Sequence, residues 1–332
     1  MTMTLLLLTG FCAWALTGLI RRMALRADML DIPGPRSSHH HPVPRGGGLA
    51  VVVVFLAASG WLNNRQLLPA EALHAMLWGG GLIALVGLID DYRGLPALAR
   101  LLVHLAASNA SLAIAGLLDQ SLWPLPIWLV APALTIGLAW GINLYNFMDG
   151  IDSLAAGEAI FISLGAAAIL WMGQGNPGEI AWLLLLATAT LGFLVWNLPP
   201  ARIFMGDTCS GFLGFSLGIL ALITSRHGAI TLWSWLILGA LFLCDATLTL
   251  LARMHRREQL HTAHRGHAYQ ILARRFNSHA KVSLLALAVN CLWLLPLAAL
   301  ATMRPALGPA CFAVAALPLA WVVFSLNRRR AS

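Results

Sequence analysis

Long apolar runs separated by short polar clusters dominate the chain. A helix that spans a bilayer needs about 20 mainly apolar residues, and the polar clusters leave eleven runs of about that length. The pattern predicts an all-α, polytopic membrane bundle of 10–11 helices. Without repeats, low-complexity tracts or long linkers, it also predicts a single integral-membrane domain over residues 1–332. The runs lie near residues 3–20, 47–62, 72–89, 99–118, 124–144, 154–172, 180–196, 209–224, 230–250, 283–302 and 307–326.

The composition supports this class of protein. Of the 332 residues, 59% are hydrophobic and 10% are charged, whereas soluble domains carry about 25% charged residues. So few charges exclude a soluble globular enzyme and a disordered chain. The five cysteines lie apart in apolar runs, with no Cys-x-x-Cys spacing. They are typical of small buried apolar side chains and not of a zinc site, a redox site or a secreted disulfide scaffold.

The net charge of +8 first suggests a nucleic-acid partner, but its distribution favours a topological origin. If residue 1 lies outside, 18 of the 21 basic residues fall on the inner side, and only Arg65, Arg226 and Arg304 fall outside. Positive charge is enriched in cytoplasmic loops. The sequence therefore predicts a membrane protein with its chemistry at the cytoplasmic face and no nucleic-acid partner.

The scarce acidic residues collect on the same predicted side. Asp90 and Asp91 end the third run, Asp149 and Asp152 follow the fifth, and Asp207 follows the seventh. Neighbouring carboxylates repel one another unless a cation compensates them. Because Mg²⁺ typically takes one or two carboxylates and completes its shell with phosphate oxygens and water, their recurrence at one membrane edge predicts a magnesium site.

Each acidic motif taken singly has a plainer interpretation. An Asp-Asp pair at a helix end is often a solvated cap, and Asn-x-x-Asn-x-x-Asp-Gly-x-Asp can be a turn closed by an Asx hydrogen bond. Asp245 lies within the ninth run, where an acid is a functional candidate or a structural hydrogen-bond acceptor. It is the shared location of the other five that favours a joint role.

Two inner segments combine basic residues with histidines. The first runs over residues 31–48 with stiffening prolines, adjacent histidines and three glycines that let a ligand approach the backbone. The second covers about 252–282 and is densest at His264-Arg265-Gly266-His267. Both could contact phosphate groups. The alternatives are a positive-inside retention loop for the first and contact with anionic lipid heads for the second.

Taken in order, these motifs resemble the polyprenyl-phosphate N-acetylhexosamine-1-phosphate transferases, a superfamily that includes MraY-type and WecA-type enzymes. The first segment and the last inner loop are most similar to the WbpL-type branch, which starts O-antigen lipopolysaccharide synthesis. The resemblance covers about residues 31–270. It rests on Asp90-Asp91, the segment Asn143–Asp152, Phe204-Met205-Gly206-Asp207, Pro44-Arg45-Gly46-Gly47-Gly48 and His264-Arg265-Gly266-His267-Ala268-Tyr269-Gln270.

The resemblance implies transfer of a sugar-1-phosphate from a UDP-linked N-acetyl sugar to undecaprenyl phosphate in the lipid of the bacterial inner (cytoplasmic) membrane, with release of UMP. Mg²⁺ is the implied cofactor, with Mn²⁺ as a substitute. It implies that Asp207 and Asp90 hold the metal, and that Asp90 and Asp91 organise the metal and the lipid phosphate, where either could act as a base. It also implies that Asn146, Asp149 and Asp152 line the nucleotide side and that Asp152 belongs to the catalytic set.

The same resemblance implies roles for basic and aromatic groups. The histidines of the last inner loop would contact the diphosphate, and an aromatic ring would stack on uridine. The implied catalytic histidines are His264 and His267, and the implied substrate contacts are Asn197, Phe204, Arg265, His40 and Arg45. Three adjacent histidines of the MraY type are absent, and histidine (around His40) replaces the family's lysine before the first-segment glycines.

Two mechanisms and one rival function stay open at this stage. The lipid phosphate could attack the sugar-bearing phosphorus directly, or an aspartyl-phosphate could intervene. The rival is a secondary transporter with acidic cation or proton sites, although transporters place such residues near the bilayer midplane, often in repeated halves. The sugar is also open among GlcNAc, GalNAc and FucNAc.

Overall fold

The computed structural model describes residues 3–32, 42–258 and 266–328, and its architecture is all-α. This confirms the predicted helical bundle. The helices are α1 (Met3–Arg26), α2 (Leu49–Asn64), α3 (Ala70–Arg93), α4 (Ala97–Ile114), α5 (Ile127–Met148), α6 (Leu154–Met172), α7 (Pro177–Asn197), α8 (Asp207–Ser225), α9 (Leu232–Leu238), α10 (Ala240–His255), α11 (Ala268–Phe276), α12 (His279–Met303) and α13 (Gly308–Arg328). Two short strands, β1 (Leu30–Asp31) and β2 (Val43–Pro44), form an antiparallel pair.

The predicted count of eleven spans is not confirmed. Within the described ranges, nine helices are long and apolar enough to cross a membrane, or ten if α9 and α10 form one span bent by 73°. The remaining run is α2, whose 16 residues extend only about 24 Å at 1.5 Å per residue. That is shorter than the hydrocarbon layer of about 30 Å. The sequence pattern does not reveal this difference, because the ends of its apolar runs are uncertain by several residues.

The bundle is organised around α8, the most thoroughly buried of the long helices. It packs against α3 and α5, while α7 packs against α1, α2 and α6. Alanines fill the buried face of α6, and such small residues let membrane helices approach closely. Large apolar side chains such as Trp78, Trp171 and Leu292 point outward and are more than 70% exposed. The protein is therefore a multi-pass membrane protein with a lipid-facing surface.

Helix ends at one side of the bundle are tied together by extended backbone. Phe204 donates its backbone N–H to Pro44 O (2.8 Å), and Gly47 donates to Phe204 O (2.9 Å). The segment before α8 thus lies alongside β2 and the start of α2. This places residues 44–48 of the first basic segment beside the residues that lead into Asp207.

Candidate active site

Asp91 caps the N-terminus of α8. Its Oδ1 accepts the backbone N–H of Asp207 (2.9 Å), and its Oδ2 accepts both the N–H (3.1 Å) and the hydroxyl (2.9 Å) of Thr208. A carboxylate is favourable there because the first N–H groups of a helix lack partners and carry partial positive charge. The Asp91 side chain is only 3% exposed, so its hydrogen-bonding capacity is largely used within the protein.

Gly206 makes this capping arrangement possible. Its φ of +82° lies in the region that favours glycine. A Cβ added there would lie 2.6 Å from Asp91 Oδ2, closer than real Cβ contacts. The glycine before Asp207 is therefore required both by the backbone turn and by the approach of the Asp91 carboxylate.

Asp90 and Asp207 form the second carboxylate pair, and Arg100 lies between them. The Asp90 and Asp207 side chains lie within hydrogen-bonding reach of one another. Arg100 Nη1 contacts Asp90 Oδ2 and lies 3.3 Å from Asp207 Oδ2. The Asp207 side chain is 29% exposed, so it remains accessible to a ligand. Arg100 was not predicted from the sequence as a site residue, although a single basic residue near the start of an apolar run could have indicated it.

Asn146 completes this cluster from α5. Its Nδ2 donates to Asp207 Oδ1 (2.9 Å) and to Ser210 Oγ (3.0 Å). The end of α5 and the start of α8 therefore place their polar side chains together. As predicted from the sequence, the motifs around Asp90, Asn146 and Asp207 meet in one cluster.

Arg45 brings positive charge from the first inner segment. Its guanidinium lies 3.3 Å from Asp31 Oδ2 and 3.8 Å from Asp91 Oδ1. Burial opposes its charge, but the carboxylates of Asp91 and Asp31 outweigh that effect and raise its pKa. Arg45 is thus a permanent cation beside the carboxylate cluster, and its predicted contact with substrate phosphate stays a prediction.

Asp149 and Asp152 have different surroundings. Burial, followed by the charge of Asp207, raises the pKa of Asp149 to about 7. Asp152 Oδ2 instead accepts the N–H of Ala201 (3.1 Å) and lies 3.2 Å from His279 Nδ1. Asp152 therefore joins the loop after α7 to the start of α12. These contacts indicate that Asp152 positions the two segments it joins. Its predicted catalytic role stays a prediction.

Asn197 is also engaged with backbone. Its Oδ1 accepts the N–H of Ser153 (2.9 Å), and its Nδ2 donates to Ile203 O (3.0 Å). It is 4% exposed. These bonds fix the segment that carries Phe204. The predicted contacts of Asn197 and Phe204 with uridine stay predictions.

His267, Asp245 and Tyr269 anchor the last inner loop onto the cluster. The carboxylate of Asp245 accepts the N–H groups of Ala268 (2.9 Å) and Tyr269 (3.0 Å). The His267 ring stacks on Phe147 and Tyr269, with centroids 6.2 and 5.8 Å apart. These contacts resolve the open question about Asp245, which caps α11. His267 is itself buried, and its predicted catalytic role stays a prediction.

Tyr269 was missed by sequence reasoning as a site residue. Its hydroxyl donates to Phe147 O (3.0 Å), and burial raises its pKa well above the usual value, so the phenol is a neutral donor. The expected contacts of His40, His264 and Arg265 lie outside the described residues.

The cluster matches the ligand preference of Mg²⁺ in part. Asp90 and Asp207 supply two carboxylates, and Asn146 holds one oxygen of Asp207. Within residues 3–32, 42–258 and 266–328, no group of three or more His, Cys, Asp or Glu side chains could enclose a metal. Two carboxylates with an otherwise open shell are typical of a magnesium ion that keeps phosphate oxygens and water as ligands.

Comparison with known proteins identifies the family. The sequence model of the family described as "Glycosyl transferase family 4" matches residues 73–225 of the chain. A phospho-N-acetylmuramoyl-pentapeptide-transferase of Synechococcus sp. is 32% identical over 73% of this chain and 74% of its own length. The chain belongs to the polyprenyl-phosphate N-acetylhexosamine-1-phosphate transferase superfamily.

Two further relatives of this transferase act on N-acetylglucosamine according to their names. A probable undecaprenyl-phosphate N-acetylglucosaminyl 1-phosphate transferase of Bacillus subtilis is 29% identical over 77% of this chain and 73% of its own length. A decaprenyl-phosphate N-acetylglucosaminephosphotransferase of Mycolicibacterium smegmatis is 32% identical over 72% of this chain and 66% of its own length. As a member of this superfamily, the chain is a membrane transferase for polyprenyl-phosphate sugar-phosphate transfer.

Proposed function

We propose that the transferase moves an N-acetylated sugar-1-phosphate from a UDP-sugar to undecaprenyl phosphate at the cytoplasmic face of the inner membrane. UMP is the second product, and the lipid-linked sugar starts O-antigen synthesis. The observation that carries the proposal is the meeting of Asp90, Asn146 and Asp207 at the ends of three membrane helices. A polyprenyl acceptor keeps its tail in lipid, so its phosphate is available only at this level.

The position of the acids favours the enzyme over a transporter. Asp90 lies in the last turn of α3, and Asp207 is the first residue of α8. Transporters bind their substrates near the bilayer midplane, whereas these two carboxylates lie at a membrane edge. The predicted excess of basic residues on the same side supports a cytoplasmic orientation.

Asp207 and Asp90 are the residues that would hold Mg²⁺. The bound ion would neutralise charge on the diphosphate and on the leaving UMP. The protein's own residues supply the surrounding charge. Arg100 and Arg45 offer guanidinium groups near the carboxylates, and Asn146 orients the Asp207 carboxylate.

The reaction that fits this cluster is direct displacement. A phosphate monoester has a second pKa near 6 and is largely dianionic at neutral pH, so it needs little help from a base. An oxygen of the lipid phosphate forms a bond to the sugar-bearing phosphorus. The bond from that phosphorus to the bridging oxygen breaks, and UMP leaves with the electron pair.

The O-antigen branch and the choice of sugar rest on local similarity. The sequence segments 36–39, 44–48 and 264–270 are most similar to the WbpL-type branch, which supports an N-acetylated hexosamine or its 6-deoxy form as the sugar. The sugar pocket would lie near the last inner loop, where Asp245 and Tyr269 hold α11 against the end of α5.

The test is an assay of the purified protein with undecaprenyl phosphate, Mg²⁺ and a panel of UDP-GlcNAc, UDP-GalNAc and UDP-FucNAc. We expect UMP and a labelled lipid product in equal amounts with one of them. Asp207→Asn should abolish both products, while Asp119→Asn, at an exposed turn on the opposite side, should leave them unchanged. No UMP with any of the three donors, or full activity of Asp207→Asn, would contradict the proposal.

A further inference from the structure

A cavity lies away from the carboxylate cluster, between α6, α7 and α12. Its volume is about 310 Å³. Most of its wall is apolar, with leucines from all three helices. Its described lining residues include Ser153, Gly157, Glu158, Leu194, Ser283 and Asn290. The carboxylate cluster contributes none of these, so the cavity requires its own explanation.

Besides Ser153 and Ser283, the described polar side chains that line this cavity are Glu158 and Asn290. Both are buried, with exposures of 2% and 1%. Asn290 Nδ2 donates to Glu158 Oε2, while among the described residues Glu158 Oε1 and Asn290 Oδ1 are buried without a hydrogen-bond partner. Asn290 begins a π-helical turn, Asn290–Leu294, and such turns are frequent at functional sites. Both residues therefore line one apolar cavity, and each holds an acceptor oxygen that bonds to no described group.

An uncompensated carboxylate in this position is costly. Glu158 lies one turn into α6, and an acid within a membrane helix normally has a partner or a function. Burial of a charge without a counter-charge, and of an acceptor without a donor, is unfavourable. None of the described residues that line the cavity is basic. A ligand that brings hydrogen-bond donors and a positive charge would therefore satisfy these oxygens and favour the ionised form of Glu158.

The cavity's rim indicates where such a ligand comes from. Leu198, Leu284 and Leu287 line it and are 52%, 65% and 47% exposed, so its walls continue onto the lipid-facing surface. Ser153 and Ser283 lie at the membrane-edge ends of α6 and α12. A molecule that fits has apolar chains in the bilayer and a donor-bearing cationic group that reaches about one helical turn inward, roughly 6 Å.

We propose that this cavity binds the primary ammonium group of an aminophospholipid from the inner leaflet. The ammonium group donates to Glu158 Oε1 and Asn290 Oδ1 and compensates the carboxylate, while the acyl chains lie along the exposed leucines. The inference does not depend on the proposed reaction.

Occupancy of this cavity would bear on the neighbouring loop. Ser283 Oγ donates to Asp152 O (3.0 Å), and Ser153, which lines the cavity, donates its N–H to Asn197. A bound lipid therefore packs against the segment that joins α5 to α6. It supports the backbone next to Asp149 without touching the carboxylate cluster.

The test measures which lipids remain bound to the purified protein. The protein is reconstituted in nanodiscs of equal parts phosphatidylethanolamine, phosphatidylcholine and phosphatidylglycerol, extracted with mild detergent and weighed by native mass spectrometry. We expect phosphatidylethanolamine to be retained about tenfold over phosphatidylcholine, because a trimethylated ammonium cannot donate hydrogen bonds to a carboxylate. Glu158→Gln should remove most of this preference.

Two further variants make the result decisive. Glu179→Gln makes the same change at a buried glutamate that bonds to His227 (2.7 Å) and should keep the preference. Leu284→Trp, at an exposed rim position, should displace the lipid without altering the buried pair. Equal retention of all three lipids, equal retention of phosphatidylglycerol and phosphatidylethanolamine, or an unchanged preference in Glu158→Gln would overturn the proposal.

Discussion

The carboxylate of Asp91 holds the backbone at Asp207. Oδ1 of Asp91 accepts the N–H of Asp207 at 2.9 Å, and Oδ2 takes two bonds from the next residue. Asp90 makes no such bond to the α8 backbone and instead lies beside the Asp207 side chain with Arg100. The adjacent aspartates therefore have different roles. Asp91 positions the N-terminus of α8, whereas Asp90 acts beside the side chain of Asp207, the first residue of that helix.

This division predicts different effects for the same substitution at the two positions. Asp91→Asn should lower the free energy of unfolding by about 1–2 kcal/mol, because it weakens a charged cap at a helix N-terminus. Asp90→Asn should leave stability nearly unchanged, because the lost contact with Arg100 is offset by less repulsion from Asp207. It should nevertheless reduce UMP release by at least about a hundredfold, a loss of a few kcal/mol of transition-state stabilisation.

Thermal unfolding in detergent, followed by tryptophan fluorescence, and UMP release on the same samples measure both effects. Equal unfolding temperatures for the two variants would contradict the assignment of Asp91 as the cap.

Arg100 competes with a divalent cation for the same carboxylates. Its Nη1 contacts both Asp90 and Asp207. Arg100→Gln should therefore lower the Mg²⁺ concentration for half-maximal activity by about tenfold, the equivalent of about 1.4 kcal/mol. The maximal rate should also fall, because a cation near the phosphates is lost.

A Mg²⁺ titration of UMP release checks this, with Arg226→Gln on the opposite side as the control. A higher Mg²⁺ requirement in Arg100→Gln would show that the arginine assists the metal and does not compete with it.

The pKa of Asp149 predicts how stability depends on pH. Burial raises it to about 7, whereas an aspartate in the unfolded chain titrates near 4. Between these values the folded state binds more protons than the unfolded state, so stability falls as pH rises from about 4 to 7 and then levels off. In Mg²⁺-free buffer, Asp149→Asn should remove this part of the pH dependence.

Unfolding temperatures of the wild type and Asp149→Asn, each measured from pH 5 to pH 8, provide the check. Curves that stay parallel over this range would mean that Asp149 is ionised throughout.

The sequence predicted the cluster because its motifs are local and recur at helix ends. Asp90, Asn146 and Asp207 each follow or begin an apolar run, so the alternation of membrane helices alone brings them to one side. The roles of Asp91 and Asn197 could not be predicted in the same way. Their partners are backbone groups distant along the chain, such as the N–H groups of Thr208 and Ser153.

The helix count illustrates a second limit. The apolar run at α2 is as clear as the others, but its helix ends at Asn64 after 16 residues. The bend between α9 and α10 likewise falls at Gly239, inside one continuous apolar run. Hydrophobicity alone predicts that a segment lies in the bilayer. The length of its helix and any bend in it depend on tertiary packing.

The contact between Gly150 and Tyr269 predicts a further effect on activity. A Cβ at Gly150 would overlap the Tyr269 hydroxyl and lie 3.1 Å from its Cζ, while that hydroxyl donates to Phe147 O. Gly150→Ala should therefore push α11 away from the end of α5 and reduce UMP release by about tenfold or more, because small misplacements in a site are costly.

The double variant Gly150→Ala/Tyr269→Phe should recover part of the lost activity. Removing the hydroxyl relieves the overlap, although the ring carbon stays close and the bond to Phe147 O is gone at a cost of about 1 kcal/mol. Rates and unfolding temperatures of the two single variants and the double variant form a cycle that isolates the contact. If the effects of the single variants simply add, the overlap does not explain the loss, and α11 is not held in place by this contact.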